Sequence, residues 1–223
     1  MIIDCIGCLH GHYPKLEGGD LLIVTGDLTT RDTGNELMEF VLWTKQLRYK
    51  KIIVIAGNHD ISLKFNDECC VFNTSHDSHI QYLCDSGTEF EGLKIWGSPW
   101  TKTFPRMNPK CKAFTVDTDD ELFEKWKLIP DDIDILITHG PAYGILDGIP
   151  IIDGSLFHVG STSLHGWLKY TARPKLHVFS HVHEGYGEEE FFPTYDNNMM
   201  KSINCSHVNE KYQPINKSIR VIL

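Results

Sequence analysis

Residues 19–29 read GDLLIVTGDLT, an apolar run that ends abruptly in a glycine and an aspartate. A short apolar run bounded by turn residues is typical of a strand that is buried on both faces of a sheet. Similar runs occupy residues 1–7, 51–56, 133–138 and 175–179. Between the second and third runs, residues 33–49 carry apolar side chains at helical spacing. This alternation predicts a layered α/β sheet with a site along the carboxyl edge of its strands.

The other segments predict less regular structure. Short strands are predicted at 79–83 and 93–97, and short helices at 119–127 and 160–171. Two prolines and several cations at 104–112 predict a loop that could overhang the site. The residues after 186 alternate weakly and predict additional edge strands. Because neither a repeat nor a linker interrupts the sequence, we expect one domain over residues 1–223.

Composition limits the classes of partner. The net charge is -9, with 30 acidic and 21 basic residues, so a basic patch for duplex DNA is not expected. Seven scattered cysteines favour reduced thiols over a disulfide framework. The sequence shows neither a signal-peptide pattern nor an apolar run long enough for a bilayer, so we expect a cytoplasmic protein without a membrane partner. A nucleotide substrate stays open, because bound divalent cations would supply positive charge locally.

Each of the five apolar runs is followed by side chains that can bind a metal ion. These side chains are Cys8 and His10, then Asp27, then Asn58, then His139, and finally His181 and His183. Residues two apart in an extended segment point the same way, so the first and last pairs can each converge on one point. Any single such motif occurs often by chance, but five of them in order at strand ends predict a metal site.

The ligand types narrow the choice of metal. Imidazole, carboxylate and amide oxygen suit divalent transition-metal ions, namely Mn, Fe, Zn, Ni or Co. Asp27 has two carboxylate oxygens and can bridge two ions that lie ~3.5–4 Å apart, as in two-metal sites. The sequence therefore predicts two divalent transition-metal ions as cofactors.

In this order, the motifs resemble those of the calcineurin-like metallophosphoesterase superfamily, whose pattern is DxH…GD…GNH[DE]…H…GHxH. A closer similarity is to the brain-type metallophosphoesterase-domain-containing proteins, which are class III cyclic nucleotide phosphodiesterase-like. The stretches that carry it are GDLLIVTGDLT (19–29), GSPW (97–100), DILITHGP (134–141) and RPKLHVFSHVHEGYG (173–187). The resemblance implies a four-layer α/β/β/α sandwich. It also implies a phosphodiesterase that hydrolyses cyclic nucleotides or other phosphodiesters by attack of a metal-bound hydroxide.

The resemblance also implies roles for individual residues. One ion would be held by Cys8, His10, Asp27 and His183. The other would be held by Asp27, Asn58, His139 and His181. His59 would act as general acid or phosphate clamp, and Asp60 would orient it.

The chain departs from the family pattern at two positions. Cys8 stands where the family has aspartate, as in RNA lariat debranching enzymes, and Ser180 replaces the glycine before the final histidine pair. As a thiolate, Cys8 is a soft ligand that favours Zn or Fe(II). As a neutral thiol it is a poor ligand, and the first ion would bind weakly or not at all. Cys5 is expected to belong to the core.

Three further residues are candidates for substrate binding. His12 and Arg106 could contact a phosphate, and Trp100 could stack on a nucleobase. A solvated loop is the competing interpretation for His12 and Arg106. Four other histidines are expected to be structural or on the surface, namely His158, His165, His177 and His207.

Two other functions remain open at this point. One is a metal- or nucleotide-binding scaffold with little turnover. The other is a nuclease-like phosphodiesterase that acts on RNA or DNA. For the phosphodiesterase, the expected partner is a small phosphodiester or nucleotide, and the oligomeric state stays open.

Overall fold

A computed structural model describes residues 1–65, 72, 79–103, 110–193 and 198–223. The strands are β1 (Ile2–Ile6), β2 (Gly19–Thr25), β3 (Tyr49–Ile55), β4 (Ile80–Tyr82), β5 (Ser86–Phe90), β6 (Leu93–Ser98), β7 (Thr101–Lys102), β8 (Thr115–Val116), β9 (Ile135–Thr138), β10 (Gly148–Pro150), β11 (Leu156–His158), β12 (Leu176–Phe179), β13 (Gly187–Pro193), β14 (Met199–Asn204) and β15 (Ile219–Ile222). The helices are α1 (Gly34–Thr44), α2 (Ser62–Phe65), α3 (Asp119–Trp126) and α4 (Thr162–Tyr170), and a 3-10 turn covers His183–Gly185.

The strands form two large sheets. The first has the order β15-β1-β2-β3-β4, and the second has the order β13-β14-β12-β9-β6-β5. In the first sheet β1 to β4 are parallel, and β15 is antiparallel to β1. In the second, β14, β12, β9 and β6 are parallel, and the two edge strands are antiparallel to their neighbours. Two smaller pairs are β7 with β8 and the antiparallel hairpin of β10 and β11.

The two sheets pack face to face, and helices cover their outer faces. Ile53 and Ile55 of β3 belong to a buried cluster that also contains Ile135 and Ile137 of β9. Val54, between the first two, faces the opposite way and packs in a cluster with residues of α1. A third cluster places α3 and α4 on the outer face of the second sheet. The predicted four-layer α/β/β/α sandwich is therefore confirmed, and burial on both faces explains the continuous apolar runs.

The predicted elements agree with the structure to within a few residues, with two exceptions. The helix predicted over 33–49 begins at Gly34, after a capping box of Thr33 and Glu36, and ends at Thr44. The prediction of edge strands after residue 186 was wrong for β14, which lies between β13 and β12. Its residues Met200 and Ile203 are buried in different core clusters, as an interior position requires. The β10–β11 hairpin and the short elements β5, β7, β8 and α2 were not predicted from the sequence.

The described part of the chain contains no helix with the length and hydropathy that would be needed to cross a bilayer.

The inter-sheet core predicts the effect of truncating one of its side chains. Ile137 is fully buried between the sheets, so Ile137→Ala should lower the free energy of unfolding by about 2–5 kcal/mol. Ile152 is fully exposed, and the matched variant Ile152→Ala should stay within about 0.5 kcal/mol of wild type. Equilibrium urea unfolding measures both. Equal losses in the two variants would contradict this placement of the core.

Candidate metal centre

The carboxyl ends of strands from both sheets meet along one edge of the sandwich. Cys8, Asp27 and Asn58 follow β1, β2 and β3 of the first sheet, and His139 and His181 follow β9 and β12 of the second. The structure brings together three groups of side chains. Within each group, the ligand atoms lie within 4.8 Å of one another. The groups are Cys8 with His10 and His183, Cys8 with Asp27 and His139, and His10 with Asp27 and His59.

A backbone carbonyl of the first sheet fixes a histidine of the second. The Thr25 carbonyl accepts a hydrogen bond from His139 Nδ1 (2.8 Å) and another from the Ser180 hydroxyl (3.1 Å). Because Nδ1 of His139 donates to Thr25, Nε2 is the ring nitrogen that faces the site. Burial lowers the pKa of His139, but the charge of Asp27 raises it overall, so Nε2 would give up its proton on binding a cation. This nitrogen lies 3.4 Å from Asp27 Oδ2.

The side chain of Asn58 is oriented in the same way by a backbone carbonyl. Its amide nitrogen donates to the Cys111 carbonyl (3.0 Å), which turns Oδ1 toward His139 Nε2 at 3.0 Å. His139 Nε2 therefore lies close to one oxygen of Asn58 and to one oxygen of Asp27. Once Nε2 has lost its proton, all three atoms can bind a cation.

His10 gives a second indication that the residues fit a metal ion. Its ring is almost completely buried, and neither ring nitrogen has a hydrogen-bond partner among the described residues. Buried polar atoms without a partner are uncommon in folded proteins, and coordination to an ion would satisfy one of these nitrogens. Burial lowers the pKa of His10 to about 3, so the ring is neutral and able to act as a ligand.

Asp27 lies at the centre of the cluster and carries its negative charge. Burial alone would raise the pKa of Asp27, but the neighbouring histidines, chiefly His139, hold it well below its usual value. One oxygen accepts the backbone N–H of His59 (2.9 Å), and the other lies 3.6 Å from His10 Nε2. The Asp27 carboxylate therefore lies close to His10, of the first ligand set that the resemblance implies, and to His139, of the second set. A bridging ligand would have this position.

Cys8 lies among the same donors. Its Sγ is buried, lies 4.0 Å from Asp27 Oδ2 and accepts the backbone N–H of His181 at 3.1 Å. Burial and the charge of Asp27 raise the pKa of the Cys8 thiol well above its usual value, against hydrogen bonds from Ser180, His181 and Ser206. A thiol that coordinates a cation loses its proton, so the thiolate form depends on a bound ion.

The backbone around the cluster is crowded and partly strained. Cys8, His10, Asp27 and His181 have φ values of 45°, 45°, 50° and 71°, a left-handed conformation that is uncommon outside glycine and costs about 1–2 kcal/mol per residue. At Gly57 an added Cβ would lie 2.3 Å from Asp27 Oδ1. Strain of this kind is concentrated at functional sites.

His59 faces the cavity beside the cluster, but the predicted role of Asp60 needs correction. The ring of His59 is oriented by the Thr30 carbonyl, which lies 3.1 Å from Nδ1. Asp60 instead accepts hydrogen bonds from the backbone amides of Leu28 (3.2 Å), Thr29 (3.1 Å) and Gly57 (2.9 Å). These bonds fix the two loops that carry Asp27 and Asn58. Burial and the charge of Asp27 raise the pKa of Asp60 to about 7.

A cavity of about 760 Å³ opens over the cluster. Part of its lining consists of residues from the candidate cluster. The other lining residues come from β7, from the β10–β11 hairpin and its flanks, and from the C-terminal segment. They include Thr101, Ile149, Phe157, His158, Val159 and Tyr212. His158 was expected to be a structural or surface residue, but the structure places it in this lining.

Of the three residues predicted to bind substrate, Trp100 and His12 do not line the larger cavity. Trp100 lines a second, smaller cavity, where its indole N–H donates to Asp85 (2.8 Å) and Lys125 Nζ lies 3.9 Å from the ring centroid. His12 is exposed and is not among the described residues that line the larger cavity. Arg106 lies outside the described residues.

Sequence reasoning missed Tyr212, which packs directly on the cluster. Its ring centroid lies 4.8 Å from that of His10, 5.3 Å from that of His183 and 6.2 Å from that of His59. Tyr212 also has a left-handed backbone, with φ 58°. It belongs to an irregular segment without a recognisable motif, so only this positive φ and the ring contacts identify it.

Comparisons with known proteins agree with the observed fold. The family model described as "Calcineurin-like phosphoesterase" matches residues 1–185. Metallophosphoesterase domain-containing protein 1 of Homo sapiens is 34% identical over 244 residues, which cover 98% of this chain and 70% of that protein. A UPF0046 protein of Caenorhabditis elegans is 32% identical, and the match covers 96% of this chain and 58% of that protein.

A solved structure shares the fold at low sequence identity. TT1561 of Thermus thermophilus superposes with a TM-score of 0.59 and 14% identity, over 91% of this chain and 88% of that chain. At this identity the similarity supports the architecture alone.

The contacts of Tyr212 predict an effect on metal affinity. Tyr212→Ala removes the ring that packs against His10 and His183, so it should weaken the binding of Zn or Mn by roughly tenfold, the size of effect seen when support around metal ligands is lost. Tyr212→Phe keeps the ring and should bind like wild type. Competition with a chelating dye measures both affinities. An alanine variant with wild-type affinity would show that the ring does not support the ligands.

Proposed function

Because this chain belongs to the calcineurin-like phosphoesterase family, we propose that it is a phosphodiesterase whose active site is the cluster at the shared edge of the two sheets. Membership of the family implies metal-dependent hydrolysis of phosphoesters. The single observation that carries the proposal is that His139 Nε2 lies 3.0 Å from Asn58 Oδ1 and 3.4 Å from Asp27 Oδ2.

The proposed ligands are those that the family resemblance implies, and the observed grouping of Cys8 with His10 and His183 supports one of the two sets. Cys8, His10, Asp27 and His183 would hold one divalent ion. Asp27, Asn58, His139 and His181 would hold the other. When bound, two such ions supply a Lewis acid that polarises the phosphoryl group and lowers the pKa of water. Asp27 contacts both sets, which is the reason for assigning it as the bridge.

His59 is proposed to protonate the leaving oxygen. Its Nδ1 lies beside the Thr30 carbonyl (3.1 Å), which leaves Nε2 for a ligand in the cavity. When the ring is protonated, Nε2–H can donate to the oxygen that departs from phosphorus. The backbone N–H of His59 also holds Asp27 (2.9 Å), so the proton donor and the proposed bridging carboxylate are fixed relative to each other.

The cavity favours a small phosphodiester over a polymer. Its volume of about 760 Å³ lies within the range of roughly 300–1,000 Å³ that is typical of small-molecule sites. Apolar side chains from Ile149, Phe157 and Val159 line part of it, so an ester arm such as the nucleoside of a cyclic nucleotide has a surface to pack against. The net charge of -9 disfavours RNA or DNA as the substrate.

The reaction is tested with a diester and a monoester that release the same chromophore. Purified protein is assayed with bis-p-nitrophenyl phosphate and p-nitrophenyl phosphate in the presence of Mn, Ni, Zn or Fe(II), and then with a panel of cyclic nucleotides. We expect faster turnover of the diester with at least one metal. Absence of turnover together with tight nucleotide binding would indicate a scaffold and contradict the proposal.

Removal of the proposed bridge should abolish both metal binding and catalysis. Asp27→Ala deletes the carboxylate that both ion sets share, so we expect loss of bound metal and activity below detection. Metal content is measured by elemental analysis of the purified protein. Asp132 is exposed and pairs with Lys94, and Asp132→Ala is the matched control with wild-type activity. An active Asp27→Ala enzyme would refute the ligand assignment.

The family's usual residue at position 8 provides a test of metal preference. Cys8→Asp replaces a soft sulfur with a hard oxygen, so the ratio of Mn-supported to Zn-supported activity should rise. Metal content and activity are measured across Mn, Zn and Fe(II). If content and preference both match those of wild type, then Cys8 is not a ligand.

A further inference from the structure

A buried carboxylate holds a histidine on the hairpin wall of the cavity. Asp147 is fully buried, and its Oδ1 lies 2.6 Å from His158 Nδ1. Its other oxygen accepts the backbone N–H of Gly160 at 2.9 Å. Both oxygens of Asp147 are therefore occupied, and the position of the His158 ring is set by a group that cannot move into solvent.

The free edge of this histidine is available to a ligand. The side chain of His158 is 36% exposed, and the residue lines the cavity together with Asn58 and His59. Its Nδ1 is directed at Asp147, and its Nε2 has no hydrogen-bond partner among the described residues. Because a carboxylate at Nδ1 fixes the orientation of an imidazole, the opposite nitrogen is presented in a defined direction.

His158 lies apart from the clustered rings. The rings of His10, His59 and Tyr212 pack against one another at the candidate metal centre. The ring of His158 packs instead against Tyr143, with 5.5 Å between the ring centroids. A group at this position would meet a part of the substrate that extends away from phosphorus.

The neighbours of His158 in the wall are apolar. Ile149, Phe157 and Val159 also line the cavity, and their side chains can pack against a ligand but cannot form hydrogen bonds with it. In small-molecule sites, a few polar groups set in an apolar wall determine how the ligand is oriented. Among the residues of β10 and β11, His158 is the ionisable one, and it lines the cavity.

We propose that His158 is a substrate-positioning residue whose Nε2 hydrogen-bonds a polar group on the ester arm that stays attached to phosphorus. This rests on the proposed phosphodiesterase function. The substrates selected would be diesters whose retained arm carries a hydroxyl group or the polar edge of a nucleobase. Diesters with a purely apolar arm would gain nothing from His158.

Two diesters with the same leaving group separate this role from catalysis. Thymidine 5′-p-nitrophenyl phosphate retains a polar nucleoside arm, and methyl p-nitrophenyl phosphate retains a methyl group. For His158→Ala we expect KM of the thymidine substrate to rise about tenfold, the size of one lost hydrogen bond, with kcat within about twofold. Both constants for the methyl substrate should stay near wild type.

Three comparison variants and a stability control complete the design. His158→Gln keeps a polar end and should recover part of the affinity, and Asp147→Asn should raise KM of the thymidine substrate by less than His158→Ala does. His165 is half-buried, lies outside the described lining of the cavity and donates to the Tyr143 carbonyl (2.8 Å), so His165→Ala is the matched control with wild-type constants. Thermal unfolding and metal content verify that each variant is folded and loaded.

The outcomes distinguish this proposal from the proposed function. If wild type hydrolyses both substrates and His158→Ala affects both equally or neither, the positioning role is wrong although the function stands. If wild type hydrolyses neither substrate, the proposed function fails, and calorimetry with thymidine 5′-monophosphate decides the role of His158. Weaker binding by His158→Ala would then support the contact, whereas equal binding, or no binding by wild type, would overturn it.

Discussion

The backbone carbonyl of Thr25 is the point on which the site depends. It ends a strand of the first sheet and accepts hydrogen bonds from His139 and Ser180, which follow strands of the second. These bonds hold the two sheets together at the edge where the candidate ligands lie, and they fix which nitrogen of His139 faces Asp27. Because the acceptor is a main-chain group, this arrangement depends on how the sheets pack and not on the side chain of Thr25.

The packing of the two sheets also brings the loops at this edge close to each other. Two loops bring Asp27 and Asn58 together so tightly that residue 57 has no room for a Cβ. Asp60, on the second loop, holds the first by accepting its backbone amides. The left-handed conformations of Cys8 and Asp27 are maintained because the surrounding hydrogen bonds determine the backbone more strongly than local preference does.

Sequence reasoning located what depends on strand ends and missed what depends on tertiary packing. Parallel strands of one sheet place their carboxyl ends together, so the positions of Asp27 and Asn58 at one edge follow from the order of apolar runs. His139 follows a strand of the other sheet, and its place beside them depends on how the two sheets pack. Asp60 adjoins His59 in sequence, yet the turn directs its carboxylate to backbone amides. His158 lies on a hairpin whose sequence shows no apolar alternation, and Tyr212 lies in the segment after β14, which carries no motif. The positions of both residues depend on how these segments fold over the sandwich.

The division of the candidate ligands between the two sheets has a consequence for the life of the protein in a cell. An ion bound by Asp27 and His181 at once would act as a non-covalent cross-link between halves of the sandwich, so its binding energy would contribute to folding. Chelation would then expose the chain to proteases as well as silencing the enzyme. The supply of metal would govern how long each molecule persists, and abundance itself would report on metal status.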